Sequence, residues 1–195
     1  MEKCVKGGWM HVRPLGLISA TTWTNVADIT NFLCENPQIK LFVEIGANYC
    51  GFAALLVARV IVHPDFGYLG IEKETNRKSP TLEAFMASQP RCKVIWGDCF
   101  ADAVKAEAKA WIDATEGQAL VWCDGDNKPQ EIVHYHPLLR VGDWLMMHDY
   151  SHEQIATTNP SWQDCQPLVD SGAFQVVTPD WWGEGGMLFL LRKVK

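Results

Sequence analysis

The sequence predicts a doubly wound α/β fold: a mostly parallel seven-stranded sheet, finished by an antiparallel C-terminal hairpin and covered by helices on both faces. Three observations predict it. Five strand-like runs each lead into a helix-like segment between residues 40 and 172. Those runs are apolar at nearly every position instead of alternating, as parallel strands buried on both faces require. Two further strand-like runs then follow one another across a turn-rich stretch, which suits an antiparallel pair at the sheet edge.

The elements follow in order. "TNVADITNFLCEN" (24–36) reads as a helix ahead of the sheet, covering either the sheet or the site. "KLFVEI" (40–45) is the first strand, and the Ala- and Leu-rich "GFAALLVARVIV" (51–62) is its helix. "FGYLGIE" (66–72) is the second strand. "SPTLEAFMASQ" (79–89) follows, with Ser79 as N-cap, Pro80 at the helix start, and Leu82, Phe85 and Met86 on one face. "CKVIWG" (92–97) is the third strand, and the next helix puts Val104, Ala108, Trp111 and Ile112 on one face. "QALVWCDG" (118–125) is the fourth strand, with a shorter helix, "QEIVHYHPLLR" (130–140), bent or ended near Pro137. "DWLMMHD" (143–149) is the fifth, followed by the proline-interrupted helix "PSWQDCQPLVDSG" (160–172). "AFQVVT" (173–178) and "MLFLLRK" (187–193) close the sheet.

The 195 residues, 48% hydrophobic and 21% charged, fit one globular domain with a sizeable core. Residues 1–39 are expected to form a helical cap or lid, and residues 40–195 the core. A net charge of −6 argues against a nucleic-acid surface. The opening "MEKCVKGGWMHVRPLG" has no apolar leader pattern, and the longest apolar stretch is short and broken by Arg59. The seven cysteines contain no Cys-x-x-Cys pair and are scattered, which fits reduced, mostly buried thiols rather than a zinc site. A cytoplasmic protein is expected, with no membrane partner.

Open parallel sheets bind ligands at the carboxyl ends of their strands. The first strand ends in Glu44, Gly46 and Gly51, and the second in Glu72. The third ends in Gly97, Asp98 and Cys99, the fourth in Asp124 and Asp126, the fifth in His148, Asp149 and Tyr150. Every end carries an acid. Such a rim is poor for phosphate but good for hydroxyls, amines, cationic ligands and hard metals.

The blocks "VEIGANYCGFAALLVA", "GYLGIEKE", "VIWGDCF", "WCDGDNKPQEIV" and "PLLRVGDWLMMHDY" occur in this order over residues 40–150. As a set they resemble the class I S-adenosylmethionine-dependent methyltransferases, in particular the small group that includes macrocin O-methyltransferase and the cephalosporin-hydroxylase-like proteins. The resemblance implies a Rossmann-like core and methyl transfer to the oxygen of a small hydroxylated molecule. It implies that Glu44, Gly46, Ala47, Asn48 and Gly51 shape the loop around the methionine part of S-adenosylmethionine. Glu72 would accept from the ribose hydroxyls, Asp98 and Cys99 would flank the adenine, and Asp124 would sit near the transferred methyl. Metal-dependent members hold a divalent ion with acids at the ends of strands four and five. Asp124 and Asp149 match those places for Mg²⁺, with His148 as a third ligand or a general base.

Several positions depart from the family pattern: Cys50 where glycine is usual, Asn127 for histidine, Pro129 for tyrosine, and Asp143 for glycine. Two other functions stay open at this point. An NAD(P)-dependent oxidoreductase would need Gly-x-Gly-x-x-Gly, and Glu44 stands in the first glycine's place. A degenerate nucleoside-binding or partner module is the non-enzyme reading, and a homodimer is left open. His134 and His136, two apart on a helix, are expected to face different ways. Trp181 and Trp182 read either as a substrate wall or as a hairpin packing pair.

Overall fold

The computed structural model describes residues 10–12, 19–21, 23–48, 65–75, 80–151, 157–179 and 188–195. Its elements are β1 (Met10–Val12), β2 (Ser19–Thr21), α1 (Trp23–Glu35), β3 (Ile39–Ile45), β4 (Gly67–Glu72), α2 (Pro80–Ser88) and β5 (Cys92–Trp96). There follow α3 (Asp102–Ala114), β6 (Gln118–Cys123), α4 (Lys128–Tyr135) with a 3₁₀ turn over His136–Leu138, β7 (Trp144–Met147), α5 (Trp162–Asp170), β8 (Phe174–Val176) and β9 (Phe189–Lys193).

Seven strands form one sheet in the order β5-β4-β3-β6-β7-β9-β8. The first five are parallel; β9 pairs antiparallel with both β7 and β8. All five parallel strands and the closing hairpin lie where the sequence places them. The helix expected over 51–62 lies outside the described residues, as do Cys50, Gly51, Trp181 and Trp182.

The near-continuous apolarity of β3, β6 and β7 has its cause in two cores. Phe42, Tyr68, Leu120, Trp122, Trp144 and Met146 share one cluster with Ile29, Phe32 and Leu33 of α1. On the other face, Leu41, Val43, Leu69, Val121 and Leu145 meet Val104, Ala108 and Ile112 of α3 and Ile132 and Tyr135 of α4. Neighbouring strand residues alternate between the clusters, as the two-residue period demands. The helix stripe read from the α3 sequence is therefore real, with Trp111 at its partly buried margin.

α1 covers the sheet, edge-on against it through Phe32 and Trp144 (ring centroids 5.2 Å apart). Ahead of it stands an antiparallel pair, Met10↔Thr21 to Val12↔Ser19, that sequence reading did not predict: three-residue strands carry too little period to read. α4 starts two residues earlier than expected, because Asn127 caps it, its side chain accepting from the Gln130 N–H (3.4 Å), and Pro129 sits in the first turn. Ala101 stands at the N-cap position of α3 and makes no side-chain cap bond. α5 tolerates Pro167 behind a capping box of Ser161 and Asp164.

Candidate active site

The order places β3 at the centre, with β4 and β5 on one side and β6 and β7 on the other. The crevice opens beyond the carboxyl ends at this switch point. Ladder bonds run on into the loops: the Gly46 N–H donates to the Ile71 carbonyl (2.9 Å), Asp124 N–H to Ile45 (3.2 Å), Gly97 N–H to Glu72 (2.9 Å) and His148 N–H to Cys123 (3.1 Å). The floor of the crevice is thus an extension of the sheet.

Gly46 is dictated twice. Its φ is +81°, and a Cβ there would stand 2.7 Å from the Cα of Gly125. The β3 and β6 loops touch through bare backbone, and any side chain would push them apart. Asn48 follows in the left-handed region as well (φ 50°). Its N–H donates to Glu72 Oε2 (2.7 Å), and its own Oδ1 is buried without a partner among the described residues.

The crevice holds about 350 Å³. Gly46, Asn48, Glu72, Asp98, Cys99 and Asp124 line it, so six of the sequence-derived cofactor positions converge on one space. Glu72 is 4% exposed, and its Oε1 also accepts the Glu74 N–H (2.9 Å). Asp98 accepts the Phe100 N–H (3.0 Å), which makes it a turn-former as well as a wall residue. At the mouth, Lys73 and Asp126 form an exposed ion pair across the loops after β4 and β6.

Ala47 and Glu44 lie deeper. Ala47 is buried and packs in the α1-side core, so it supports the loop from below. Glu44 is 4% exposed and accepts from the Tyr68 hydroxyl (2.5 Å). Burial pushes its carboxyl well above the usual range; the Tyr68 hydrogen bond pulls it back, while Asp124 and Glu72 add to the rise. Glu44 thus sits beneath the crevice, joined to β4 through Tyr68, and is not among the residues that line it.

Beside the crevice, Asp124, His148 and Asp149 bring one ligand atom each within 4.8 Å of one another. His148 Nδ1 lies 2.6 Å from Asp124 Oδ1 and 3.7 Å from Asp149 Oδ1. Burial lowers the His148 pKa, but the charge and hydrogen bond of Asp124, with Asp149, leave it above its ordinary value. Asp149 has φ 55°, a conformation rare for a residue with a side chain.

Sequence reasoning missed two residues here. Glu131 is 1% exposed and holds the loop after β6: Gly125 N–H donates to its Oε2 (3.1 Å) and Asn127 N–H to its Oε1 (3.2 Å). Burial pushes its carboxyl up to about 7, against those hydrogen bonds. The loop is thereby set by Glu131. Lys128, also buried, donates to the Gly125 carbonyl (3.0 Å) and pairs with Asp149 Oδ2 (3.0 Å). A Glu four places after the N-cap and a Lys at the helix start were the available signals. His134 and His136 do part company, toward Phe100 and Phe174 respectively.

Comparison with known proteins identifies the family by its sequence profile and the fold by solved structures. The profile of the rhamnosyl O-methyltransferase/CmcI family matches residues 11–182. No curated protein matches by sequence. Among solved structures, CmcI-N160 in its apo form superposes at a TM-score of 0.66 with 16% identity, covering 92% of this chain and 75% of that one. CmcI-D160 with Mg and SAM gives 0.59 at 18%, with the same coverages. The O-methyltransferase TomG from Streptomyces achromogenes, in complex with SAM, gives 0.59 at 14%, covering 91% and 82%. At these identities the likeness shows the fold.

Proposed function

We propose a reaction on one premise: this chain belongs to the rhamnosyl O-methyltransferase/CmcI family, whose profile spans most of its length. The reaction is methyl transfer from S-adenosylmethionine to a hydroxyl oxygen of a small molecule. The observation that carries it is the acidic wall of the crevice, built from Glu72, Asp98 and Asp124, with Asp126 at the mouth paired to Lys73. That wall repels the pyrophosphate of a dinucleotide and suits hydroxyls, an amine and a sulfonium.

The residues present fit the cofactor. Glu72, already oriented by two backbone N–H groups, receives the ribose hydroxyls. Asp98 and Cys99 flank the adenine. Gly46, Ala47 and Asn48, with Glu44 beneath, hold the methionine part; Asn48 Oδ1, without a partner among the described residues, supplies an acceptor for its amine. Bound S-adenosylmethionine supplies an activated methyl on a cationic sulfur. The chain's task is then to place an acceptor oxygen in line behind that methyl and to take its proton. Asp124 and Asp149 orient the acceptor hydroxyl, and His148, hydrogen-bonded to Asp124, takes the proton. Asp124, His148 and Asp149 are also the residues that would hold a divalent ion, which would supply a Lewis acid at the acceptor oxygen. Two carboxylates with one imidazole form a reasonable donor set, softer than the all-oxygen set Mg²⁺ prefers.

Residues 1–39 serve as a cap. The support is that α1 packs on the sheet face that carries Glu44, in one cluster with Trp122 of β6, whose ring centroid lies 5.8 Å from that of His148. The free thiols of Cys34, Cys92, Cys99, Cys123 and Cys165 fit the cytosol. Among the described residues no helix is long and apolar enough to cross a membrane.

Titration calorimetry with S-adenosylmethionine, S-adenosylhomocysteine and NAD tests the reading. Both sulfur nucleosides are expected to give saturable heat and NAD none. Silence from both would overturn it.

A further inference from the structure

The acid–histidine–acid group contains a cation of the chain's own. Lys128 Nζ lies 3.0 Å from Asp149 Oδ2, 3.9 Å from Asp124 Oδ1 and 3.0 Å from the Gly125 carbonyl oxygen. Its side chain is 10% exposed. A lysine is rarely buried unless paired. It also occupies the first residue of α4, where the helix dipole favours an acid and opposes a cation. Both costs are offset only if the ammonium is drawn inward by the two carboxylates. Asp149 meets it from a left-handed backbone position that turns the carboxylate toward this group.

From this we infer that Lys128 is a built-in counter-ion that competes with a divalent metal for Asp124 and Asp149. The inference rests on the methyltransferase reading for the meaning of the site, but its geometry stands without it. An ammonium and a metal ion repel strongly at these separations when both are shielded from water. A metal would therefore have to displace Lys128 from Asp149, where the ammonium already matches the two acids. A lysine can make this exchange because its charge sits on a flexible stem and bonds at one point, unlike a planar, forked guanidinium.

The experiment compares Mn²⁺ binding to the full chain and to Lys128→Gln, by calorimetry and by the loss of the free-ion electron paramagnetic resonance signal. Lys128→Gln is expected to bind Mn²⁺ at least about tenfold more tightly than the unaltered chain. Equal or weaker binding by the variant, or no binding by either protein, overturns the inference. Should the variant not fold, the unaltered chain decides: Mn²⁺ is expected to speed acetylation of the Lys128 amine, followed by mass spectrometry, at least severalfold relative to Lys109. Equal or slower labelling with Mn²⁺ overturns it. S-adenosylhomocysteine binding is measured on the same preparations without the ion. Its absence would count against the methyltransferase reading and leave the ion comparison standing.

Discussion

The two ends of the sheet each bury an acid against a base, and they do so in opposite ways. At the amino end, Asp143 is 1% exposed and fully engaged. Its Oδ1 accepts the Ala119 N–H (2.8 Å) and Arg140 Nη2 (3.1 Å), and its Oδ2 accepts the Arg140 N–H (2.8 Å) and Nε (3.0 Å). The same guanidinium donates to the carbonyls of Thr115 (2.8 Å) and Gly117 (2.6 Å). At the carboxyl end, Asp124 and Asp149 meet His148 and Lys128, each through single-point contacts. A fork of directional donors locks β6, β7 and the end of α3 together. Point charges on an imidazole and a flexible stem hold a site that must exchange partners. The departure from the family pattern at Asp143 is thus structural, far from the chemistry.

Four substitutions or titrations break or sharpen this contrast. The largest effect belongs to Asp124→Ala. With a methyl-accepting substrate in hand, transfer is expected to fall about a thousandfold, while the melting temperature changes little. A large loss of stability instead would make Asp124 a structural acid like Asp143. Next comes Asp143→Ala, expected to cost about 3 kcal/mol of stability in denaturant unfolding, because it strands Arg140 and the Ala119 N–H. The protein that remains folded should bind S-adenosylhomocysteine normally.

Glu72→Ala comes third. Removing two charge-assisted bonds to the ribose should weaken S-adenosylhomocysteine about a hundredfold in calorimetry. The smallest effect is a pH slope. Glu131 titrates near its ordinary 4.5 when unfolded and at about 7 when folded. Between those values the folded protein holds the proton more tightly, so stability falls as pH rises from about 4.5 to about 7. Glu44, raised by burial, adds in the same direction. Glu131→Gln should reduce the slope by roughly 2 kcal/mol across that window, read as melting temperature against pH. A slope as steep as in the unaltered protein would show that Glu131 does not carry it.

Much of the crevice was legible in the sequence because parallel strands announce themselves twice. Their apolar runs name the strands, and polar residues at the run ends name the crevice. Glu72, Asp98 and Asp124 were found in this way, and they line one space. Glu44 was found for a different place: its position at a strand end was readable, but its descent beneath the loop to Tyr68 depends on which face of β3 it occupies relative to β4. Glu131 and Lys128 carried only a weak signal, because each lies on a helix and acts across a turn on backbone or on another strand's acid.

The amino-acid order alone determined the sheet, its parallel and antiparallel parts, and the acid at every strand end. The reason is local: side-chain periodicity and turn chemistry act over a few residues, and they agree along this chain. Only the tertiary structure decided which acids share a cavity, which are locked by a guanidinium, and which are matched by a lysine. Those choices depend on distances between residues far apart in sequence, such as Lys128 and Asp149, and electrostatics responds to distance and burial rather than to order.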